Sequence, residues 1–318
     1  MLGPKNTRQT AARIQGEIHG EEGQGEEGQR RARTGGGQPI EPGLHLIATP
    51  IGSARDITLR ALDLLAGADL LAAEDTRSLR RLMDMHGVAL RGRPLLAYHD
   101  HNGEKMRPRL LSALGEGLSV AYAAEAGTPM VADPGYRLAV EAIAAGFAVH
   151  SAPGASAVLA ALTVSGLPSD RFCFMGFAPT QKGARARFLA EAAAVPATVI
   201  LFESPKRVRQ MLDELVQHFG EERQCALCRE LTKRHQEVIR GTLGALQRDL
   251  AGRVLRGEIV LVIDRARSLS ADPEALARAL RAALETQSLR EAVAYVAAAH
   301  GAPRREVYQL ALEISGRD

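Results

Sequence analysis

The sequence predicts an α/β protein: two α/β domains followed by a short helical segment. Three observations lead there. From Leu44 to Val164, short β-like runs alternate with helical patterns, the rhythm of βαβ crossovers around a parallel sheet. A second series opens near Pro168 and runs to Asp264. Beyond Asp272 the strand signal stops and three helical stretches follow, the last two separated by Gly301 and Pro303. The expected organisation is an N-terminal extension at 1–42, α/β domains at 43–166 and 167–266, and a helical segment at 267–318.

Each element has its own signal. In the first domain, apolar runs of strand length fall at 44–49, 69–73, 94–98, 119–123 and 148–152. Between them, apolar residues recur at helical spacing: Leu59 to Leu65, Ser78 to His86, Met106 to Gly115, Tyr136 to Ala145 and Ala155 to Val164. The second domain carries strands at 171–177, 198–202, 225–231 and 258–264, with helices at Ala184–Ala194 and Arg207–Phe219. The closing helices run Pro273–Glu285, Leu289–His300 and Arg304–Ile314.

Composition narrows the classes. With 318 residues, 46% of them hydrophobic, a large buried core is available. The formal net charge of +3 permits an anionic partner without demanding one. Aromatics make up 4% with no Trp, too few for a protein built on base stacking. No apolar run reaches the ~18 residues that span a bilayer, and the start MLGPKNTRQT lacks the apolar core of a secretion signal. A cytoplasmic protein is expected. Cys173, Cys225 and Cys228 fit a reducing compartment. Cys225 and Cys228 form a CxxC, but inside a strand two residues three apart face opposite sides, so they cannot share a ligand. Residues 1–42 hold nine Gly and no aromatic, a composition that cannot bury enough apolar area to order itself. A solvated tail is expected there; an RNA-touching arm through Arg30, Arg31 and Arg33 is the alternative.

In open α/β sheets, ligands bind beyond the carboxyl ends of the strands. Five segments following strands carry the unusual residues: Thr49 to Gly52, Glu74 to Arg77, His99 to Asn102, Glu125 to Pro129 and Pro153 to Ser156. Each has a plainer reading. Gly and Pro punctuate turns, an acidic residue before a helix complements its dipole, and His99, Asp100 and His101 form a polar loop as readily as a metal site. Five such loops on one expected edge argue for a cleft. No GxGxxG follows the first strand, no P-loop occurs and no GxSxG elbow occurs, so the ligand is held by Pro/Gly loops of another design.

Nine strings in this order resemble one family: IATPIG (47–52), AAEDTR (72–77), YHDHN (98–102), AGTPMVADPG (126–135), GLPSDRF (166–172), GFAP (176–179), FESPKR (202–207), RELTK (229–233) and RGEIVLVI (256–263). They look like the ribosomal RNA small subunit methyltransferase I family of the tetrapyrrole methylase superfamily. The resemblance implies two α/β domains with S-adenosylmethionine in the cleft between them. It implies 2′-O-methylation of a cytidine ribose in the decoding region of 16S rRNA, within the small ribosomal subunit, by a homodimer. The sequence departs from the family pattern at Ser53-Ala54, at Ala124-Glu125 and at Pro153-Gly154-Ala155. A small-molecule tetrapyrrole methylase and a non-catalytic RNA-binding ribosome-assembly factor are the rival readings.

Methyl transfer to a hydroxyl needs alignment, exclusion of water and a base for the leaving proton. The candidates for that base are Asp75, His99, Asp100 and Glu230, among which the sequence does not choose. Pro50, Gly52, Glu125, Gly127, Thr128, Pro129, Gly154 and Ser156 are expected at the cofactor, with Phe202 and Glu203 from the second domain. RNA phosphates are expected to meet Arg77, Arg80 and Arg81, Lys182, Arg185 and Arg187, Lys206 and Arg207, and Lys233, although each cluster is equally a solvated helix face. No metal is implied.

Overall fold

A computed structural model describes residues 40–265, 273–300, 302 and 304–316. Expectations for the extension therefore lie outside the described residues, save its last three positions.

The first α/β series forms a five-stranded sheet from β1 (Gly43–Ile47), β2 (Leu70–Ala73), β3 (Leu95–Ala97), β4 (Ser119–Ala123) and β5 (Val149–Ala152), in the order β3-β2-β4-β1-β5. Every pairing is parallel. The crossovers are α1 (Leu59–Gly67), α2 (Thr76–Met85), α3 (Gly103–Gly115) and α4 (Gly135–Ala144); α5 (Ala157–Ser165) follows β5. Local chemistry starts these helices where they start. Thr58 Oγ1 accepts from Ala61 N at 3.1 Å, and the Asp75 carboxylate caps α2 through Arg77 N at 2.8 Å.

The central strands are buried on both faces, as parallel sheets require. Along β4, Val120 and Tyr122 pack on one side with Leu44, Leu110 and Leu138; Ala121 and Ala123 pack on the other with Ile47, Leu65 and Leu79. Because the strand period is two, one short sequence serves two cores.

The second sheet is mixed. It contains β6 (Phe172–Phe177), β7 (Thr198–Glu203), β8 (Gln224–Arg229), β9 (Glu237–Thr242) and β10 (Ile259–Ile263), in the order β6-β7-β10-β8-β9. Only the pair β6–β7 is parallel; β10 runs antiparallel to both its neighbours. Helices α6 (Lys182–Ala194), α7 (Val208–Phe219) and α8 (Leu243–Leu250) cover one face. The other face is covered by α5: Val158, Ala161 and Leu162 pack on Ile200, Ala226, Cys228 and Val260. The helix that the sequence assigns to the first domain thus completes the core of the second.

The paired cysteines behave as strand geometry demands. Cys225 lies in the core under α7 and Cys228 in the core under α5. Both are buried and free, and burial pushes the Cys228 thiol up to about 11.

The sequence misses β9 and α8. EVIRGT places two apolar residues side by side between charged neighbours, and on an edge strand only partial burial is required of it. Thr242 then caps α8 through Ala245 N at 3.2 Å. The closing helices are α9 (Pro273–Leu284), α10 (Leu289–His300) and α11 (Arg304–Ser315), joined by a core of Leu280, Val293, Val296 and Val307. Among the described residues, no helix is long and apolar enough to cross a membrane.

Candidate active site

The carboxyl ends of β1, β2, β4 and β5 meet the ends of β6 and β7 and the start of β10 around a cavity of about 690 Å³. That volume suits a nucleoside-sized ligand. Its first-sheet wall is built by two loops tied together. Thr49 and Gly127 exchange backbone hydrogen bonds of 3.0 Å each way, and Thr128 Oγ1 donates to Ala155 O at 3.0 Å.

Glycine is needed at two positions of this wall. Gly127 has φ +81°, and a Cβ there would meet Ile51 Cγ2 at 3.2 Å. At Gly52 a Cβ would lie 2.6 Å from Thr232 Oγ1 and 2.8 Å from Leu231 O. The glycine therefore lets the RELTK loop of the second sheet close on the PIG loop of the first, where Ser53 N donates to Thr232 Oγ1 at 3.0 Å.

Strain collects at the same place. Met130 and Ala132 in one loop and Glu230 and Thr232 in the other adopt left-handed backbone, with φ between 51° and 70°. Such residues cost about 1–3 kcal/mol each unless their surroundings hold them. Asp133 holds the first loop: it accepts from Tyr122 OH at 3.0 Å, Gly135 N at 2.8 Å and Met130 N at 3.2 Å.

Of the expected cofactor residues, Pro50, Gly52, Glu125, Gly127, Thr128, Ser156, Phe202 and Glu203 line the cavity; Pro129 and Gly154 do not. Phe177 adds an aromatic wall, edge-on to Phe202 with ring centroids 5.5 Å apart. Glu203 is buried, which raises its pKa, although Ser204 N at 2.7 Å and Arg207 at 3.2 Å offset part of that rise.

None of the four expected bases lines the cavity. Asp75 is the α2 cap, and its bond from Arg77 N holds its carboxyl below the ordinary range, which makes it a weak proton acceptor. Glu230 is tied to Lys233 Nζ at 2.9 Å and to Glu258 N at 3.0 Å, and the lysine lowers its pKa. His99 and Asp100 form a turn in which His99 N donates to Asn102 Oδ1 at 2.9 Å.

Five carboxylates do line the cavity, Glu74, Glu125, Asp133, Glu203 and Glu258, and Glu74 among them directly precedes Asp75. Burial raises the Glu74 pKa, and the nearby charges of Asp133, Glu125, Asp100 and Asp75 raise it further. A signal for it existed in the sequence. Glu74, the first residue after β2, faces the cleft, while its successor Asp75 turns back to cap the helix.

The basic candidates divide. Arg77, Arg80, Arg81, Lys182, Arg187 and Lys206 are exposed. Arg185 is not: it is 5% exposed and forms a bidentate pair with Glu214 at 2.6 and 2.7 Å. On α6 it shares the inward phase of Leu189 and Ala192, so it leaves the RNA-facing set. Arg207 bonds Ala178 O at 2.7 Å and pairs with Glu203, while Lys233 bridges Glu230 and Glu258. Arg185→Ala is expected to cost roughly 3–5 kcal/mol, because it strands the Glu214 carboxylate. Thermal melting and an RNA salt titration check this together: melting should fall and the salt slope should stay.

A family model described as Tetrapyrrole (Corrin/Porphyrin) Methylases matches residues 43–247, and one described as RsmI C-terminal HTH domain matches 270–315. The Ribosomal RNA small subunit methyltransferase I of Mesorhizobium japonicum is 45% identical over 278 residues, covering 87% of this chain and 94% of its own length. The proteins of the same name from Halalkalibacterium halodurans and Mycobacterium tuberculosis CDC 1551 are 38% and 41% identical, covering 84% and 85% of this chain and 93% and 94% of their own lengths.

The chain belongs to the tetrapyrrole methylase family, in its ribosomal RNA small subunit methyltransferase I branch.

The fold of that family recurs in solved structures. A cobalt precorrin-4 methyltransferase aligns with a TM-score of 0.52 at 20% identity, covering 69% of this chain and 93% of its own. A diphthine synthase aligns at 0.52 and 17%, covering 70% and 89%. At such identities the likeness shows the tetrapyrrole methylase fold alone. It is the two-sheet arrangement expected from the sequence.

Proposed function

We propose that this chain transfers a methyl group from S-adenosylmethionine to the ribose 2′-hydroxyl of a cytidine in the decoding region of 16S rRNA, within the small ribosomal subunit. The observation that carries the reading is the cavity itself, closed by Pro/Gly loops of one sheet and an aromatic wall of the other, in a chain of this family.

The residues present fit such a cofactor. Gly52 and Gly127 let the loops of the cavity wall close against Thr232 and Ile51, and Phe177 and Phe202 offer an apolar face to a ring. The bound sulfonium supplies an electrophilic methyl, so no metal is needed to activate it. The loops of Pro50, Gly127, Thr128 and Ser156 hold the ligand and exclude water from the transfer line. Glu74 takes the proton of the attacking hydroxyl: it lines the cavity on the first sheet's side, and its raised pKa suits a proton acceptor. The exposed cations Arg77, Arg80, Arg81, Lys182, Arg187 and Lys206 meet RNA phosphates.

The enzyme works as a cytoplasmic homodimer. Supporting the dimer, α4 exposes Tyr136, Val140 and Ile143 along one face, with 63%, 44% and 62% of each accessible. The test is calorimetry with S-adenosylmethionine on the full chain. One site per chain is expected; no binding heat across accessible concentrations would remove the cofactor and the reading with it.

A further inference from the structure

The closing helices carry no net excess of base: six Arg face seven acids between Asp272 and Asp318. The fold nonetheless sorts these charges. A cavity of about 370 Å³ is lined by Arg290, Arg304, Arg305, Tyr308 and Val293, with no carboxylate in its wall. Arg290 comes from the first turn of α10, and Arg304 and Arg305 open α11. All three guanidinium groups are exposed, and none makes an ion pair or side-chain hydrogen bond among the described residues. Two acids of these helices are engaged elsewhere. Glu291 caps α10 by accepting from Ser288 Oγ at 2.6 Å and Ser288 N at 3.1 Å, and Glu274 lies 3.9 Å from Arg278.

This arrangement opposes folding on its own. Three like charges converge, and each stands at a helix end that already bears positive partial charge. An anion in the cavity reverses the sign of every one of these terms. Arginine, with its planar fork of donors, matches a phosphodiester in particular. Tyr308, 45% exposed, adds an aromatic face at the same wall. Several backbone phosphates beside an unpaired base are what a single-stranded nucleic acid presents.

We propose that this cavity is a second RNA contact, separate from the methyl-transfer site: Arg290, Arg304 and Arg305 bind backbone phosphates, and Tyr308 stacks on an adjacent unpaired base. The inference rests on the RNA substrate assigned above. Its chemistry is single-stranded or looped RNA, because a paired base offers no free face to the tyrosine.

The test uses the full chain and purified small ribosomal subunits, with affinity measured across a salt series. Substituting R290Q, R304Q and R305Q together should weaken binding by roughly 10- to 100-fold at physiological salt and flatten the salt slope by about two, near 0.7 per lost phosphate contact. Y308A should weaken binding roughly tenfold without changing the slope, and Y308F should restore it. S-adenosylmethionine affinity should hold in each variant and melting temperature should not fall, since the side chains are exposed, the bundle core is untouched and the triple variant relieves like-charge repulsion. R290Q alone, the mildest change, should show a partial loss in the same direction. If wild type binds subunits and the triple variant binds equally with the same slope, the cavity is not an RNA site while the RNA reading stands. If wild type itself binds no subunits, the RNA reading fails and this inference with it.

Discussion

Glu74→Gln is expected to slow methyl transfer by about 10²- to 10⁴-fold while leaving cofactor and RNA binding in place. That is the ordinary worth of a positioned general base. The amide keeps the shape and loses the proton acceptor. A sharper consequence lies in the pH profile. In the wild type, burial first and then Asp133, Glu125, Asp100 and Asp75 raise the Glu74 pKa, so the rate should climb with pH through that raised value and then level. In the variant that limb should vanish.

The stability effect has the opposite sign. A carboxyl whose folded pKa is raised binds its proton more tightly in the fold than in the unfolded chain. Above that pKa the fold therefore carries the charge at a cost. Glu74→Gln should melt no lower than wild type at neutral pH. Asp75→Asn is the contrasting control. It weakens the cap on Arg77 N and should lower melting while the chemical step stays near wild type. A normal rate in Glu74→Gln, or a lost rate in Asp75→Asn, would assign the base to the wrong neighbour.

Gly127→Val is expected to abolish measurable S-adenosylmethionine binding. A β-branched residue at φ +81° is strained whatever space surrounds it, at about 1–3 kcal/mol. Its Cβ would also press on Ile51 Cγ2 at 3.2 Å. Relief requires the loop to move, and the loop is held by the paired bonds between Gly127 and Thr49 and by Asp133. The strain falls at the edge of the core under α5, to which Ile51 and Val131 belong, so the protein should remain folded with a lowered melting temperature. Calorimetry and circular dichroism on one preparation check the two halves. Retained affinity would place the cofactor elsewhere.

Much of the fold is legible in the sequence because its signals are local. SVAYA is a strand over 119–123 in sequence and structure alike, since its apolar run must serve two cores. LREAVAYVAAAH starts at Leu289 because Ser288 and Glu291 form a capping box. The mixed second sheet is less legible, because strand direction depends on pairing partners far away in the chain. The cleft walls can be read from Pro50, Gly52, Gly127 and Thr128, where glycine and proline do work no other residue could do. The charged groups cannot, because burial and partner decide their role. Glu74 and Asp75 are adjacent acids with opposite pKa shifts. Lys182 and Arg185 read as one basic cluster, yet helical phase turns the second into the core. Arg290 and Arg304 stand far apart in a charge-balanced segment and meet only when α10 and α11 pack.

The central claim is tested most directly by supplying purified, unmodified small ribosomal subunits and S-adenosylmethionine to the full-length protein. The 16S rRNA is then digested to nucleosides for mass spectrometry, and the modified position is mapped. The account predicts one 2′-O-methylcytidine per subunit, in the decoding region, formed far more slowly with Glu74→Gln and absent with Gly127→Val. A methyl group on a base, or rRNA left unmodified by a protein that binds the cofactor, would contradict it.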